Sequence, residues 1–420
     1  MTEKIKILTI SDHPLSPSGV GTQTRYFIES LLKTGRYEFV SVGGAIKHKS
    51  YNPVKTEEYG DDWVIIPVDG YGNPEFLRSI LRNHRPDILW FMTDPRFWGW
   101  LWQMEDEVRS LVPTVYYHVW DNFPLPKFNK LNYESNDVVV SISKLTNQVV
   151  AGVAPSVHLE HIPHAVNSDI FKRLDDETIL QFRKDSIQTD PEAKKMIFFW
   201  NNRNARRKQS GTLIYWFKEF LDKVGHDKAS LIMHTDPKDQ HGQDLVAIIS
   251  NLGLGNGQVM LSTTKIPSEG LAMMYNMADC TINISDAEGF GLATLESLSC
   301  ETPIIVNMTG GLQEQVTDGE EWFGIGIEPC SKAVIGSQAI PYIYEDRLNK
   351  EQFLEALETF YNMTPEERAE LGRKGREHVM KNYNFENFAK QWDELMTKVH
   401  ETHGSWDSRK NYNTWEAETL

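Results

Sequence analysis

The chain has 420 residues, which is enough for two or three domains. Its hydrophobic content of 40% and its charged content of 24% are ordinary for a globular protein. The net charge of -16 argues against a general polyanion-binding protein, because phosphate neutralisation requires clustered Lys and Arg. It does not exclude a local basic groove.

No stretch has the continuous apolar length of a membrane span, and the N-terminus enters a strand without a separate signal segment. The three cysteines, Cys280, Cys300 and Cys330, form no C-x-x-C pair and are odd in number. We therefore expect a cytoplasmic protein rather than a disulfide framework. The sequence has no Asp-x-Asp cluster or His/Cys ligand set, so we expect no metal requirement.

The first predicted strand, residues 4–11, leads into a loop rich in turn formers and then into a helix over 22–32, with Thr22 as its cap. A loop between a strand and a helix lies at the carboxyl edge of a sheet, where ligands bind. Its end is therefore a candidate substrate-binding segment, formed by Ser18, Gly19, Val20 and Gly21. A dinucleotide fingerprint would need another glycine three residues after Gly21, and Thr24 stands there.

Further strands are predicted at 39–42, 63–67, 87–91, 113–119 and 137–141, with helices between them. This alternation predicts a parallel sheet covered on both faces. His118 ends one of these strands and is a site candidate, which Asp121 could orient or charge, although a lone histidine is more often structural. Five of the 12 Trp fall between Trp90 and Trp120, a clustering that hints at a flat apolar surface.

A second set of strands begins at residues 195–200 and is followed by a loop with four cations. Two of them, Arg203 and Lys208, stand five positions apart. Two cations at fixed reach suit a leaving diphosphate, because its negative charge grows as the bond breaks. The alternative interpretation is a solvated basic turn that leads into a helix over 211–221.

Residues 280–306 predict a strand, a loop, a helix over 292–298 and a second buried strand. The loop carries Glu288, Gly289, Phe290 and Gly291. The two glycines allow close backbone approach to a ligand, and the amide groups at the helix start suit a phosphate. Glu296 follows Glu288 by eight positions, a little over two helical turns, so its side chain can lie on the loop's side of the helix.

This string, followed by Thr302-Pro303-Ile304-Ile305-Val306, resembles the retaining glycosyltransferases of the GT-B group often called family 4. The resemblance implies that Glu288 lies near the sugar hydroxyls of a donor and Glu296 on the ribose of its nucleotide. It implies that Arg203 and Lys208 bind the diphosphate, and that His118 lies close to the donor sugar. Further donor contacts are implied at Gly289, Phe290, Gly291 and Leu292.

Two departures from the family pattern are visible. Relatives carry Gly-Gly-x-Gly where this chain has Ser18-Gly19-Val20-Gly21, so the first glycine is missing. The stretch from His161 to Asn167 resembles the family's Ile-Pro-Asn-Gly-Val-Asp, with His164 and Ala165 as substitutions.

The resemblance implies an α/β protein of GT-B architecture, with two Rossmann-like domains whose parallel sheets face a central cleft. We expect an acceptor-side domain over residues 1–170 and a nucleotide-sugar domain over 171–383. A C-terminal helix over 384–400 is expected to cross back to the first domain. Residues 401–420 lack periodicity and are expected to form a mobile tail.

The implied activity is the retaining transfer of a sugar from a nucleotide-diphosphate-sugar to an acceptor hydroxyl, with a saccharide as the default acceptor and no cofactor besides the donor substrate. One alternative is transfer to hydroxymethylated bases of viral DNA, since the aromatic run from Trp90 to Trp102 could stack bases, although the net charge does not favour nucleic acid. A second is a non-catalytic nucleotide-sugar-binding protein. A third, a phosphorylase of the same fold, would need a pyridoxal lysine or a dedicated phosphate pocket, and neither can be identified. The donor sugar, the acceptor and the oligomeric state are not determined.

Overall fold

The computed structural model describes residues 4–413 and divides them into two α/β units. The first unit comprises the described residues through Ala165, the segment Gly336–Tyr342, and the described residues from Glu386 on. The second comprises Val166–Ile335 and Ile343–Phe385. The units therefore separate after Ala165 rather than after residue 170, because the Val166 amide donates to the Tyr383 carbonyl (3.2 Å) inside the second unit.

The first unit is built on an eight-stranded sheet of order β3-β4-β2-β1-β5-β6-β7-β8. All neighbouring strands pair in parallel except the short β3, which is antiparallel to β4. The chain runs outward from β1 in one direction and from β5 in the other, so the strand order reverses between β1 and β5. Its elements are β1 (Ile5–Asp12), α1 (Gly19–Leu32), β2 (Tyr37–Gly44), β3 (Val54–Lys55), β4 (Trp63–Pro67), α2 (Pro74–His84), β5 (Ile88–Thr93), α3 (Gly99–Trp102), α4 (Glu105–Arg109), β6 (Thr114–His118), α5 (Lys130–Glu134), β7 (Val138–Ser141), α6 (Lys144–Val153) and β8 (Leu159–His161).

The start of α1 differs from the prediction. Ser18, not Thr22, is the N-cap, and its hydroxyl accepts a hydrogen bond from the Gly21 amide (2.9 Å). A serine that satisfies one of the orphan amides of the first turn fixes a helix start. Gly19, Val20 and Gly21 therefore form the first turn of the helix and not the end of a loop.

Most of the aromatic run of the first unit belongs to its core. Trp90, Trp98, Trp102 and Phe91 are all buried, and the Phe91 ring stacks on Tyr116 at 4.8 Å between centroids. These four side chains therefore belong to the core and not to the expected flat apolar surface, whereas Phe97 is exposed and Trp100 is partly exposed. Strand β5 lies between two neighbours in a sheet covered on both faces, and such strands are continuously hydrophobic.

The second unit is built on a six-stranded parallel sheet of order β11-β10-β9-β12-β13-β14, and its strand order reverses between β9 and β12. An antiparallel hairpin, β15–β16, forms a separate two-stranded sheet after β14. The elements are α7 (Asp176–Ser186), β9 (Met196–Asn201), α8 (Ser210–Val224), β10 (Ala229–His234), α9 (Leu245–Leu252), β11 (Val259–Ser262), α10 (Ser268–Met277), β12 (Cys280–Asn283), α11 (Leu292–Ser299), β13 (Ile304–Asn307), α12 (Leu312–Val316), β14 (Gly324–Ile327), β15 (Ser331–Ile335), β16 (Ile343–Arg347), α13 (Lys350–Asn362) and α14 (Pro365–Asn382).

The last helix, α15 (Phe385–His403), packs almost entirely as part of the first unit. Trp392 is fully buried and meets the ring of Phe27 edge-on at 4.8 Å. Beyond the helix, Trp406 Nε1 donates to the Pro86 carbonyl (2.8 Å) and Arg409 Nη2 donates to Asp137 (2.8 Å). The tail that the sequence predicts to be mobile from residue 401 therefore makes side-chain hydrogen bonds with the first unit as far as Tyr412, and residues 414–420 lie outside the described residues.

Among residues 4–413, no helix is both long enough and apolar enough to cross a membrane. The three cysteines are free, with Cys280 and Cys300 buried and Cys330 exposed.

Candidate active site

The reversal of strand order in the second unit brings two predicted loops together. Strands β9 and β12 are direct neighbours, with Phe199 in register with Thr281. The carboxyl ends of both strands lie at one edge of the sheet, so the basic loop after β9 stands beside the Glu288 loop after β12. Open α/β sheets bind ligands at such a switch point.

Lys208 and Glu288 form an ion pair across these two loops. Only 9% of the lysine side chain and 12% of the glutamate side chain are exposed. Asn283 Nδ2 lies 3.4 Å from the same carboxylate oxygen. Burial alone would raise the pKa of Glu288, but the charges of Lys208 and Arg207 and these hydrogen bonds outweigh it, and the pKa falls below its usual value. The site therefore presents an ammonium group and a carboxylate at neutral pH.

Arg203 does not join this pair. Its Nε and Nη2 donate to the two oxygens of Asp239, at 2.7 and 3.2 Å, and 61% of its side chain is exposed. The hydrogen bonds that Arg203 donates to Asp239 raise the pKa of Arg203. A guanidinium has five N–H groups, so the Asp239 contact still leaves donors for another anion. Its predicted role at a diphosphate stays a prediction.

Two neighbouring arginines were noted in the sequence only as part of a basic run. Arg207 Nη1 donates to the Ala287 carbonyl, and the Asp286 amide donates back to the Arg207 carbonyl (2.8 Å). Arg206 forms an ion pair with Glu345 of β16, with Nη1 at 3.1 Å from Oε2. The spacing of cations signalled the loop, but their partners come from segments far away in the sequence.

Glu296 lies in α11 and is linked to the same edge of the sheet. Tyr275 donates its hydroxyl proton to Glu296 Oε2 (2.9 Å), and Asn201 Nδ2, at the end of β9, donates to the Tyr275 hydroxyl (2.9 Å). Burial raises the pKa of Glu296 to about 7. The sequence pattern identified Glu296 but gave no signal for Asn201 or Tyr275.

The glycine-containing loop places backbone rather than side chains at this edge. Gly291 has φ +94°, and a Cβ there would lie 2.5 Å from Leu312 Cδ2, so another residue would be strained. Gly291 also has no side chain with which to cap α11, which leaves the first amide groups of the helix for another acceptor. Phe290 is buried, with its ring 5.8 Å from that of Tyr383, so its side chain serves the core. Gly289 is buried beside it, and Leu292 is partly exposed.

The switch point of the first unit, between β1 and β5, has a different chemistry. Ser18 donates its hydroxyl to Asp12 Oδ2 (2.6 Å), and Tyr71 donates to Asp12 Oδ1 (2.8 Å). Gly19 is exposed and Val20 is partly exposed, whereas Gly21 is buried. A Cβ at position 21 would lie only 2.8 Å from the His13 carbonyl oxygen. Of the predicted segment, Ser18, Gly19 and Val20 can therefore face a ligand, while Gly21 serves close packing.

His118 is completely buried. Its Nε2 lies 2.9 Å from the Tyr133 hydroxyl, and its Nδ1 lies 3.0 Å from the Tyr116 hydroxyl, which donates onward to the Thr93 carbonyl (2.7 Å). Burial lowers the pKa of His118 to about 3. With both ring nitrogens bonded inside an aromatic core, this packing argues against the predicted sugar contact. Asp121 lies three positions beyond β6 and is partly exposed, and its predicted part in substrate binding stays a prediction.

The Thr93 carbonyl that ends this chain of hydrogen bonds belongs to a strained residue. Thr93 closes β5 with φ +146°, a value that residues with a side chain rarely adopt. His118 therefore supports the end of a strand at the switch point of the first unit. Its burial follows from Tyr133, a residue of α5 that no local pattern around His118 reveals.

Within the described range 4–413, no group of three or more His, Cys, Asp or Glu side chains is arranged to hold a metal ion.

Residues 181–378 match the family model of glycosyl transferases group 1. The matched stretch contains both loops of the second switch point, with Lys208, Glu288 and Glu296. The chain has the GT-B fold, with two Rossmann-like units, and its matched segment is similar to the group 1 glycosyltransferases.

Three known proteins show how far the likeness goes. An N-acetyl-alpha-D-glucosaminyl L-malate synthase of Bacillus anthracis is 23% identical over 65% of this chain and 64% of its own length, just under two thirds. The solved sucrose-phosphate synthase of Thermosynechococcus elongatus superposes with a TM-score of 0.74 at 17% identity, covering 95% of this chain and 100% of that one. Anabaena HepE, solved in complex with UDP-glucose, superposes with a TM-score of 0.67 at 14% identity, covering 94% and 100%. At these identities the solved structures establish the fold.

Proposed function

We propose that this chain transfers a sugar from a nucleoside-diphosphate-sugar to an acceptor hydroxyl, with retention of configuration. The observation that carries the proposal is the Lys208–Glu288 ion pair at the second switch point. It combines a cation for a departing diphosphate with a carboxylate for sugar hydroxyls, inside the segment that matches the family. The solved complex of HepE with UDP-glucose supports a donor of this class.

In the proposed reaction, the bond between the anomeric carbon and the diphosphate oxygen breaks, and negative charge develops on the leaving group. Lys208, the free amide groups at the start of α11 and the remaining donors of Arg203 stabilise that charge. Glu288 accepts hydrogen bonds from the sugar and favours the positive charge that grows on the ring. The acceptor oxygen bonds to the anomeric carbon from the face that the leaving group departs, and its proton passes to the leaving phosphate oxygen.

Glu296 is proposed to bind the ribose of the donor. Its carboxyl group is held by the Tyr275 hydroxyl and is partly accessible, so one oxygen can accept from a ribose hydroxyl. A ribose contact is the same in the ground state and the transition state, and it therefore acts on donor affinity rather than on turnover.

The acceptor is proposed to bind at the switch point of the first unit. Ser18, Asp12 and Tyr71 form a neutral-to-acidic group of hydrogen-bonding side chains there. The exposed ring of Phe97, 5.2 Å from that of Tyr71, offers an apolar face beside them. Hydroxyls, a carboxylate and an aromatic face are the chemistry that recognises a saccharide, and a saccharide is therefore the proposed acceptor class.

The deciding experiment incubates the protein with a panel of UDP-, GDP- and ADP-sugars and an array of saccharide acceptors, with EDTA present. Mass spectrometry reports transfer, and NMR of the product reports the anomeric configuration. We expect one donor to be used, with retention and without added metal. Lys208→Ala should lower turnover roughly 100-fold, and Lys218→Ala, which removes a partly exposed lysine paired with Asp222, should leave turnover unchanged.

Three results would overturn parts of the proposal. Inverted product would remove the retaining mechanism. Activity abolished by EDTA and restored by manganese would show that a metal holds the diphosphate. Tight binding of a nucleotide-sugar with neither transfer nor hydrolysis would favour the non-catalytic alternative.

A further inference from the structure

The hairpin β15–β16 is joined to the two loops that carry Lys208 and Glu288. Its strands pair in antiparallel register, with Ser331 opposite Arg347 and Ala333 opposite Glu345. The hairpin is not part of the six-stranded sheet. Side chains and backbone near its end nevertheless reach both loops of the switch point.

Glu345 contacts the loop after β9. Its side chain is only 1% exposed, and it forms ion pairs with Arg206 and with Arg347. Arg206 stands two positions before Lys208. A buried carboxylate between two guanidinium groups is costly to form and costly to break, so it fixes the position of the loop segment that carries Arg206.

Arg347 contacts the loop after β12. Its Nη1 lies 2.9 Å from Asp286 Oδ2, and the amide of the preceding residue, Asp346, donates to the Asp286 carbonyl (2.7 Å). Asp286 stands two positions before Glu288 and is buried. The side chain and the carbonyl of one loop residue are therefore both bound by β16.

A direct link closes the network. Gln209, the residue after Lys208, donates its side-chain amide to Asp286 Oδ2 (2.6 Å). Lys208 is thus flanked on both sides by residues of the network, Arg206 and Gln209, and both lead to the segment before Glu288. Burial raises the pKa of Asp286 to about 6, although the Gln209 hydrogen bond and the Arg347 charge both lower it.

We propose that Glu345 and Arg347 are positioning residues, which set the geometry of the Lys208–Glu288 pair through Arg206 and Asp286. Neither residue is assigned any contact with substrate. The inference rests on the proposed function for its kinetic consequence, whereas its structural consequence is independent of it. An energetic reason alone does not explain the network, because buried ion pairs can be replaced by apolar side chains at little cost in stability.

The test uses three variants of the full chain. Arg347→Met removes the charge and keeps the length of the side chain, Arg347→Lys restores a charge, and Glu345→Gln removes the carboxylate. Lys332→Met is the matched control. It also removes a cation from this hairpin, but the Lys332 side chain is 59% exposed. For all four variants, a crystal structure and a melting temperature are determined. Turnover is measured with the donor that the wild type accepts, and the affinity for UDP is measured by calorimetry.

In Arg347→Met and Glu345→Gln we expect turnover to fall between about 10-fold and 100-fold, since small displacements at a reacting centre have effects of this size. The affinity for UDP, which depends on Glu296, should change less than about threefold. Arg347→Lys should recover part of the turnover. The crystal structure of Arg347→Met should show Lys208 and Glu288 apart or turned from each other, whereas Lys332→Met should leave the pair intact.

The inference is overturned if the pair keeps its geometry in Arg347→Met, or if turnover, UDP affinity and melting temperature all fall together, as a merely structural role predicts. If Glu345→Gln does not fold, the half-buried Arg347 still gives the answer. If the wild-type protein transfers no sugar, the proposed function fails, and the crystal structures still decide whether β16 positions the pair.

Discussion

The two switch points of this molecule lie at equivalent places in two similar sheets, yet they differ in charge. The one in the second unit holds a buried ion pair, Lys208–Glu288, surrounded by arginines and carboxylates. The one in the first unit holds Asp12 between the hydroxyls of Ser18 and Tyr71. The difference follows the proposed chemistry: cations are needed where a diphosphate departs, and hydroxyls beside one carboxylate suffice where a hydroxyl compound binds.

The same comparison separates the ways in which the two sites are held in place. In the second unit, ion pairs join loops that are far apart in the sequence, as between Arg206 and Glu345. In the first unit, a chain of neutral hydrogen bonds runs from Tyr133 through His118 and Tyr116 to Thr93. Substitutions in the second unit should therefore affect turnover most strongly, and those in the first should affect folding or acceptor affinity.

The largest effect is expected for Lys208→Ala. Losing one charge-assisted donor to a leaving group should raise the activation barrier by about 3 kcal/mol, roughly a 100-fold loss of turnover. Steady-state kinetics with saturating donor measure it, with Lys218→Ala as the control. Turnover within a few-fold of wild type would show that Lys208 does not stabilise the leaving group. The proposed difference in chemistry between the two switch points would then have no support from Lys208.

The second prediction concerns His118→Phe. The ring is buried among tyrosines, and the change removes the two hydrogen bonds that it shares with the Tyr133 and Tyr116 hydroxyls, so the free energy of unfolding should fall by about 2 kcal/mol. Urea denaturation measures this loss. The donor Michaelis constant of the folded fraction should stay within about twofold, because a structural histidine makes no contact with the sugar.

An increase in the donor Michaelis constant with unchanged stability would instead restore the sugar contact that the family resemblance implies for His118. Tyr133→Phe is the matched control, since it removes one hydrogen-bond partner of the same ring and Tyr133 is itself completely buried.

The third prediction is a pH dependence at Glu296. Its pKa of about 7 means that the carboxyl is protonated below pH 7 and charged above it. A charged acceptor binds a ribose hydroxyl more strongly, so donor affinity should rise between pH 6 and pH 8 by up to about 10-fold. In Glu296→Gln the affinity should be low and flat over this range. Calorimetric titration with UDP at several pH values measures this affinity. If the variant showed the same pH dependence as the wild type, Glu296 would not be the ribose contact.

The same substitution gives a sign for stability. Because the folded pKa of Glu296 lies above its ordinary value of 4.5, ionisation opposes folding: the cost is absent below pH 4.5 and complete above about pH 7. Glu296→Gln removes that cost, so its melting temperature at pH 8 should not fall below that of the wild type. A clear drop would mean that Tyr275 needs the charged form as its acceptor.

The smallest effect is expected for Tyr71→Phe. The proposed hydrogen bond between the Tyr71 hydroxyl and an acceptor hydroxyl joins two neutral groups and is worth about 1 kcal/mol. The acceptor Michaelis constant should therefore rise about fivefold, and the donor Michaelis constant should change little. Acceptor-dependent kinetics measure it, and Tyr51→Phe, which removes an exposed hydroxyl bonded to Asp69, is the control. Equal effects of both variants would take Tyr71 out of the acceptor site.

Much of the site could be predicted from the sequence, because its signals are local. The basic run around Arg203 and Lys208 and the turn residues around Glu288 mark two strand-end loops, and the alternation of strands and helices predicts a parallel sheet that brings strand ends to one edge. The family resemblance adds Glu296 to this site. The structure bears out both loops. The pattern did not show that Lys208 pairs with Glu288 whereas Arg203 pairs with Asp239. This pairing depends on which strand-end loops are neighbours in the sheet.

By itself, the sequence determined the α/β class, the central strands of both parallel sheets and the identity of the charged loop residues. These are consequences of periodicity, turn chemistry and spacing within short segments. Only the tertiary structure decided the burial of His118 and of Trp90, the anchoring of residues 404–412, and the attachment of β16 to the site. Burial and ion pairing depend on distant partners, such as Glu345 for Arg206 across 139 positions, and no local pattern specifies which distant segment packs there.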